Sequence, residues 1–333
     1  MNNSLVSILI PARNAERWLA SAIESSIAQT WSRLEVIVVD DGSTDGTFKE
    51  AQRYSAPNVR VLHSAGHGAS AARNTAFQAS QGDFVQFLDA DDILAKDKIE
   101  IQMRASVDGP PGLLTYGSII NFRHSPPPST DARRPGQVES NLSCPLEFLI
   151  DLLGGNGRGG MVQTSQWLVP RTLALQAGNW NERLSVDDDG EYFCRVILAA
   201  QSIRYCPSSV TFYRQHHDGE NLSSRISTSA AGAASQLESI RLKARWLHAV
   251  SSDARIDQAT ANSLNSLVIQ SYPSAPKVSR DALIELKMLG RELEIRGGTS
   301  WFKLLRQIGG WKFARRIQCL ANSIRRSASN NRA

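Results

Sequence analysis

Two clusters of carboxylates carry the clearest chemical signal in this 333-residue chain. One is Val38-Val39-Asp40-Asp41-Gly42-Ser43-Thr44-Asp45-Gly46, and the other is Phe87-Leu88-Asp89-Ala90-Asp91-Asp92. Crowded carboxylates repel one another and resist burial unless something positive joins them. Hard divalent cations, magnesium or manganese, suit such oxygen-rich sites. Asp89 and Asp91 alternate, so an extended segment points both to one side, where they serve one cation or one cation and a ribose. Asp92 points the other way and fits a solvated helix start. Asp41-Gly42-Ser43-Thr44 also reads as a plain turn with an Asx-type hydrogen bond. A third acidic run, Asp187-Asp188-Asp189, precedes an apolar helix, and reads either as a surface charge cluster or as a source of a proton acceptor. Together these groups suit metal-assisted chemistry on a phosphorylated substrate.

Short apolar runs over 34–39 and 84–88 precede the first two clusters and read as buried strands. In an open α/β sheet ligands bind beyond the carboxyl ends of the strands, so both clusters open into one crevice. The first ~120 residues alternate strand and helix, which predicts a largely parallel sheet. Residues 6–10 and 59–62 supply two more strands. Asn14 is placed to cap a helix whose apolar face is Trp18, Leu19, Ala22, Ile23 and Ile27. An Ala-rich helix spans 69–79, and another passes through Ile99 and Met103. Further strands follow over 113–122, then a Pro-rich surface loop over 125–136 and a helix near 146–153. Five glycines in residues 154–160 predict a mobile segment, readable as a lid or a crossover. Strand character resumes over 161–169, a helix lies near 171–176, an apolar helix runs over 193–199, and one or two strands cover 203–213. Beyond Ser229 the pattern is helical, and no internal repeat is present.

Hydrophobic content of 41% and charged content of 21% exclude wholesale disorder. The net charge of +5 is uneven: residues 296–333 hold nine of the 37 Lys/Arg and none of the 32 Asp/Glu. The rest of the chain is therefore slightly acidic. Four cysteines with no metal-ligand or disulfide-dense spacing point to a reducing, cytoplasmic setting. No run approaches the ~18 apolar residues of a membrane span, and the apolar stretch over 5–10 is too short for a secretory signal. In the tail, Trp301, Leu305 and Ile308 form one apolar stripe, and Phe313, Ile317, Leu320 and Ile324 another, among Lys303, Arg306, Lys312, Arg315, Arg316, Arg325 and Arg326. Residues 299–326 thus read as a peripheral contact with an anionic membrane, at the inner face of the cell membrane, or as a helix packed on the catalytic domain. Nucleic acid is not an expected partner, because the basic residues carry no recognition motif. Tyr213-Arg214-Gln215-His216-His217 offers a metal or phosphate contact, or a solvated strand-end pair.

Gly66-His67-Gly68-Ala69-Ser70-Ala71 matches a dinucleotide fingerprint, but follows the third strand rather than the first, which weakens a dehydrogenase reading. By contrast, Val6-Ser7-Ile8-Leu9-Ile10-Pro11-Ala12-Arg13-Asn14, the Asp40–Asp45 turn, Ala72-Arg73-Asn74 and the Asp89-Ala90-Asp91-Asp92 cluster resemble the family 2 glycosyltransferases in order and spacing. Gly178-Asn179-Trp180-Asn181-Glu182, followed by Asp188-Asp189 and Arg195, is similar to that family's acceptor-side segment. The match covers roughly residues 5–220. It implies an inverting enzyme (class EC 2.4) of the GT-A fold, a Rossmann-like α/β sheet with flanking helices, using a nucleoside-diphosphate sugar and a divalent cation (Mn or Mg).

Carried over, the resemblance implies that Asp41 contacts the base, with Pro11 and Arg13 lining its pocket and Arg73 beside it. Asp89 and Asp91 would meet ribose, diphosphate and metal. Asp189 would be the catalytic base, six residues before Arg195, with Asp188 the one-residue alternative. The family often has an aromatic residue at Arg13, where a guanidinium contact replaces stacking. The expected organisation is a catalytic domain over 1–225, with a nucleotide-sugar half (1–120) and an acceptor half (121–225), and a helical basic extension over 226–333. The acceptor would be a saccharide or a lipid-linked oligosaccharide, in polysaccharide or glycolipid assembly. Two rivals remain. One is a pyrophosphorylase, whose Gly-rich loop is missing after the first strand, and the other is a sugar-nucleotide-binding scaffold without turnover.

Overall fold

The computed structural model describes residues 4–126, 143–157, 159–216, 229–295 and 299–330. Most of the predicted Pro-rich loop, Arg158 and His217 lie outside these residues, as do the side chains of Ile324, Arg325 and Arg326.

Eight strands form one curled sheet: β1 (Val6–Ala12), β2 (Leu34–Asp40), β3 (Val59–His63), β4 (Phe84–Phe87), β5 (Ile93–Leu94), β6 (Leu113–Phe122), β7 (Trp167–Pro170) and β8 (Ser202–Arg214). Their order is β3-β2-β1-β4-β7-β6-β8-β5. The first four are parallel, β7 runs antiparallel between β4 and β6, and β8 lies parallel to β6. The parallel half follows from the βα alternation of the sequence, because parallel neighbours need a crossover helix. Those crossovers are α1 (Leu19–Ile27), α2 (Thr47–Gln52) and α3 (Ala69–Ala79). The remaining helices of this part are α4 (Lys98–Val107), α5 (Pro145–Leu152), α6 (Arg171–Ala177) and α7 (Asp188–Ala199).

Strand periodicity sorts the core onto the two faces of the sheet. Val6, Ile8 and Ile10 of β1 and Val36 and Val38 of β2 pack with Leu19 and Ile23 of α1 and Ile99 and Met103 of α4. Leu9, Ile37 and Val39, one residue out of step, meet Ala72 and Ala76 of α3 and Phe193, Val196 and Ile197 of α7. Trp167, 1% exposed, stacks on Phe193 at 5.3 Å and anchors this second face.

Beyond residue 229 the described chain is helical: α8 (Ala230–Val250), α9 (Ala254–Gln270), α10 (Pro276–Met288) and α11 (Ser300–Asn330), the last broken at Gly310. Leu237, Ile240, Leu264, Leu267 and Leu286 make a separate small core among α8 to α10. Phe302 and Ala314 bury one side of α11, Trp311 meets Tyr272 edge-on at 5.3 Å, and Arg315 donates to the Ile269 and Tyr272 carbonyls. The opposite side leaves Trp301, Leu304, Ile308, Phe313 and Leu320 at 41–70% exposure. The helix packs on its neighbours and still presents an uncovered apolar stripe. The two readings of the tail are therefore not exclusive.

Four expectations need correction. Asn14 does not cap α1, which begins at Leu19 with Trp18 before it; its side-chain oxygen accepts from the Thr44 amide at 2.8 Å and holds the acidic turn instead. Residues 161–166 are not strand, because Thr164–Gln166 form a 3₁₀ turn before the four-residue β7. The glycine-rich stretch is a compact turn after α5, where Gly154 and Gly157 take positive φ and Asn262 of α9 donates to the Gly154 carbonyl at 2.7 Å. Asp92 is not solvated: it is 1% exposed, accepts the Arg214 amide and the Ser165 hydroxyl, and ties the end of β4 to β8.

Candidate active site

β1 and β2 end side by side, with Ala12 opposite Asp40, and this register sets the first acidic turn beside Pro11 and Arg13. Asp40 accepts the Ser43 amide with one carboxylate oxygen at 3.3 Å, and its other oxygen is buried without a hydrogen-bond partner among the described residues. Asp41, 4% exposed, accepts the Gly68 amide with both oxygens at 2.9 and 3.0 Å, while Arg13 reaches it only at 3.5 Å and is 59% exposed. Gly68 holds φ +94°, a conformation that side chains resist. Gly68 of the apparent dinucleotide fingerprint thus serves to bring its backbone N–H to Asp41.

The second acidic cluster sits where β4 ends. The chain leaves the strand after Phe87 and turns, the Asp92 amide donating to the Asp89 carbonyl. A turn, rather than strand alternation, sets Asp89 and Asp91 together. Asp91 has its pKa raised by burial and then by the charge of Asp89, partly offset by His216, whose Nε2 lies 2.5 Å from the carboxylate. Burial and the same neighbouring charges push Asp92 well above the carboxylate range. His216 is not a solvated strand-end residue. It sits at the end of β8 beside the Trp18 ring, and Arg214 covers that ring at 4.1 Å.

Arg73 joins this cluster to the acidic run of α7. Its guanidinium donates to Asp89 at 2.9 Å and to Asp188 at 3.0 Å, and Ser70, one turn earlier on α3, donates to the same Asp188 oxygen at 2.9 Å. Burial works against the Arg73 charge, but the surrounding carboxylates outweigh it and raise its pKa. Trp180 stacks 4.5 Å from the guanidinium and lies against Tyr192 at 4.1 Å. Asn74 clasps the Trp180 backbone at both its N–H and its carbonyl, and also donates to Glu182. The Ala72-Arg73-Asn74 and Gly178–Glu182 motifs are therefore two sides of one joint. Arg195 serves it too, donating to the Ala177 and Asn179 carbonyls.

Asp189 lies half-buried in the first turn of α7, its carboxylate accepting the Gly190 amide at 2.9 Å. Burial, then the charges of Asp188 and Asp187, lift its pKa to about 6, against the pull of Arg73. A carboxylate poised there is a competent proton acceptor near neutrality. Tyr213 of β8, pushed up to about 12 chiefly by burial, is within electrostatic reach of Asp92, Asp89, Asp91 and Asp189. The β4 cluster and the α7 run thus border one crevice. Among the described residues no three His, Cys, Asp or Glu side chains form a ready cation cage. The donor set still fits one, since magnesium is commonly held by one or two carboxylates with substrate phosphates completing the shell.

All seven residues singled out from the sequence lie at or just beyond the ends of β1, β2 and β4 or on α3 and α7. The sequence reading missed three contributors: Ser70, Trp180 as the platform under Arg73, and Asn74 as its clasp. Their motifs were visible, but not the contact between them.

Residues 7–148 match the family model described as Glycosyl transferase family 2. The uncharacterized glycosyltransferase YibD of Escherichia coli K12 is 40% identical over 105 residues, 31% of this chain and 30% of that protein. The E. coli protein named UDP-Glc:alpha-D-GlcNAc-diphosphoundecaprenol beta-1,3-glucosyltransferase WfgD is 38% identical over 104 residues, 31% of this chain and 41% of that one. The matched segment thus spans well under half the length of these relatives. Among solved structures, Staphylococcus aureus TarS 1-349 in complex with UDP-GlcNAc superposes with TM-score 0.66 at 20% identity, over 86% of this chain and 81% of that one. The mannosyltransferase PcManGT of Pyrobaculum calidifontis, in complex with GDP-Man and Mn2+, gives 0.56 at 17% identity, over 92% and 80%. These likenesses show a shared fold, the curled GT-A sheet with helices after it. With its motifs placed on that sheet, the segment over residues 7–148 is similar to glycosyl transferase family 2.

Proposed function

We propose that the protein is an inverting glycosyltransferase that moves a sugar from a nucleoside-diphosphate donor to an acceptor hydroxyl. One observation carries this reading: Arg73 binds Asp89 and Asp188 at once, so a donor-side acidic pair and an acceptor-side carboxylate run are fastened across one crevice. In this reading the base lies against Asp41, Pro11, Arg13 and Arg73, and Asp89 and Asp91 face ribose and diphosphate. Asp89 and Asp91 would hold the divalent cation, which supplies Lewis-acid stabilisation of the leaving diphosphate. Asp189 accepts the proton of the acceptor hydroxyl as the bond to the anomeric carbon forms. Asp188, spent on Arg73 and Ser70, is a positioning group, which favours Asp189 over its neighbour as base.

The acceptor we propose is a lipid-linked saccharide, in polysaccharide or glycolipid assembly. Support comes from the similar E. coli WfgD, whose name gives a diphosphoundecaprenol-linked sugar as acceptor, and from the exposed apolar stripe of α11, a helix that also exposes Lys303, Lys312 and Arg316. Such a helix suits an anionic membrane surface, and no helix among the described residues is long and apolar enough to cross one. The boundary between catalytic and helical parts is proposed near residue 225.

A screen of nucleotide sugars tests the proposal. Thermal stabilisation by one donor in the presence of manganese, followed by release of nucleoside diphosphate on adding acceptor, is the expected result, because ligand binding raises apparent stability by mass action. Stabilisation without release under any acceptor would instead identify a binding scaffold.

A further inference from the structure

The acidic run of α7 is gripped from outside the catalytic sheet. Asp187 stands directly before the helix at φ +59° and ψ +27°, a left-handed conformation that L side chains adopt only at a cost. Four side chains of α8 hold it and its neighbours there. Ser235 accepts from the Ser185 and Val186 amides and donates to the Val186 carbonyl. Gln236 donates to the Asp187 carboxylate at 3.0 Å, and Ser239 to the same oxygen at 2.7 Å and to the Asp187 carbonyl at 3.1 Å. Lys243, 8% exposed, completes the set at 2.5 Å. A Cβ at Gly190 would fall 2.1 Å from the Asp187 carboxylate, so the segment fits closely. The next two residues are Asp188, fastened to Arg73, and Asp189.

We infer that Lys243, with Ser239, is a positioning residue of the transfer reaction: through Asp187 it fixes the left-handed turn that sets Asp189, and it supplies positive charge beside that carboxylate. The inference rests on the reading of Asp189 as base. It also gives the helical extension a part in catalysis that the family segment over residues 7–148 does not contain. The groups acting on Asp189 come from every neighbouring element. Asp187 and Asp188 of its own run raise its pKa, Arg73 of α3 lowers it, and Tyr213 of β8 and Lys243 of α8 are within electrostatic reach. Burial opposes the Lys243 charge, but Asp187 outweighs it and keeps the ammonium protonated. The cation therefore persists at the pH where Asp189 titrates.

The test is the pH profile of acceptor-saturated transfer, read beside a direct carboxyl titration. Lys243→Met should lower the single-turnover rate about tenfold or more and move its acid limb to higher pH. Lys243→Arg should restore both. Donor binding should stay within about twofold, because Lys243 is remote from the donor-side carboxylates in the chain of contacts. Carbon-13 NMR of the aspartate carboxyls, without substrate, should show the Asp189 titration displaced upward in Lys243→Met. This readout holds even if Asp189→Asn proved fully active, in which case the reading of the base fails and the inference about the turn does not. If Lys243→Met does not fold, Ser239→Ala, which removes one hydroxyl from the same carboxylate, should give a smaller rate loss of the same kind. A rate and an Asp189 titration both unchanged in either folded variant would overturn the proposal, as would a rate loss with the acid limb unmoved.

Discussion

Arg73 is the side chain on which the site depends. It carries a buried charge satisfied by two carboxylates from different elements and a Trp180 face. Arg73→Met should cost about 3 kcal/mol of stability, the low end for breaking a buried ion pair because Asp89 keeps 36% of its side chain in solvent. Chemical denaturation measures this, and a loss below 1 kcal/mol would mean the bridge is not formed in solution. Asp91→Asn removes one charge and little volume. It should keep the fold and abolish donor-dependent turnover, and full turnover of this variant in chelator would exclude the metal role. The pH prediction follows from Asp189, whose pKa lies at about 6 against an ordinary 3.8. The folded state holds this proton more tightly than the unfolded chain, so the group's contribution to stability falls as pH rises from about 4 through 6. Activity runs the other way, since a base at Asp189 ionises as pH passes through about 6: transfer should rise with pH across that value and level off about one unit above it. A rate independent of pH from 5 to 7 would contradict the assignment.

Among the elements, the strand ends were the most legible part of the sequence. Apolar runs closed by Asp-Gly or Asp-Ala-Asp mark where β2 and β4 stop, at the edge of the sheet where ligands of such folds bind. What could not be read was the partner of each acidic residue. Asp92 differs from Asp91 by one position, yet it is buried because Arg214, 122 residues away, offers it an amide. Asn14 and the glycine turn were misread in the same way, since Thr44 and Asn262 hold them across long sequence separations. Composition described the tail correctly as basic and amphipathic, but only packing shows that α11 has one buried side and one free apolar stripe. Replacing Leu304 and Ile308 together by Asn should release the protein from anionic vesicles and leave transfer to a soluble acceptor within about twofold. Sedimentation with vesicles checks this. Unchanged vesicle binding would assign the stripe elsewhere, and loss of soluble protein would show it packed.

At the scale of the whole molecule, the proposed catalysis is divided between parts far apart in the chain. In that proposal the ends of β1, β2 and β4 supply the donor side and α7 the acceptor side, and the contacts of Arg73 and α8 hold the second against the first. The family resemblance reached the acceptor segment, but the grip of α8 on residues 185–187 left no local pattern to read, because no periodicity links a lysine to an aspartate 56 residues earlier. The central claim is that the donor and acceptor sides are separable in function, with Asp189 doing proton transfer alone. Single-turnover transfer at saturating donor, in the parent and in Asp189→Asn, tests it most directly, since it isolates chemistry from product release. The variant keeps shape and hydrogen-bonding reach but cannot accept a proton. The account predicts donor and metal binding unchanged within about twofold and a transfer rate lower by roughly 10²–10⁴, with Asp188→Asn losing less rate and more stability. Parent-like transfer in Asp189→Asn would contradict it and remove α7 from the chemistry.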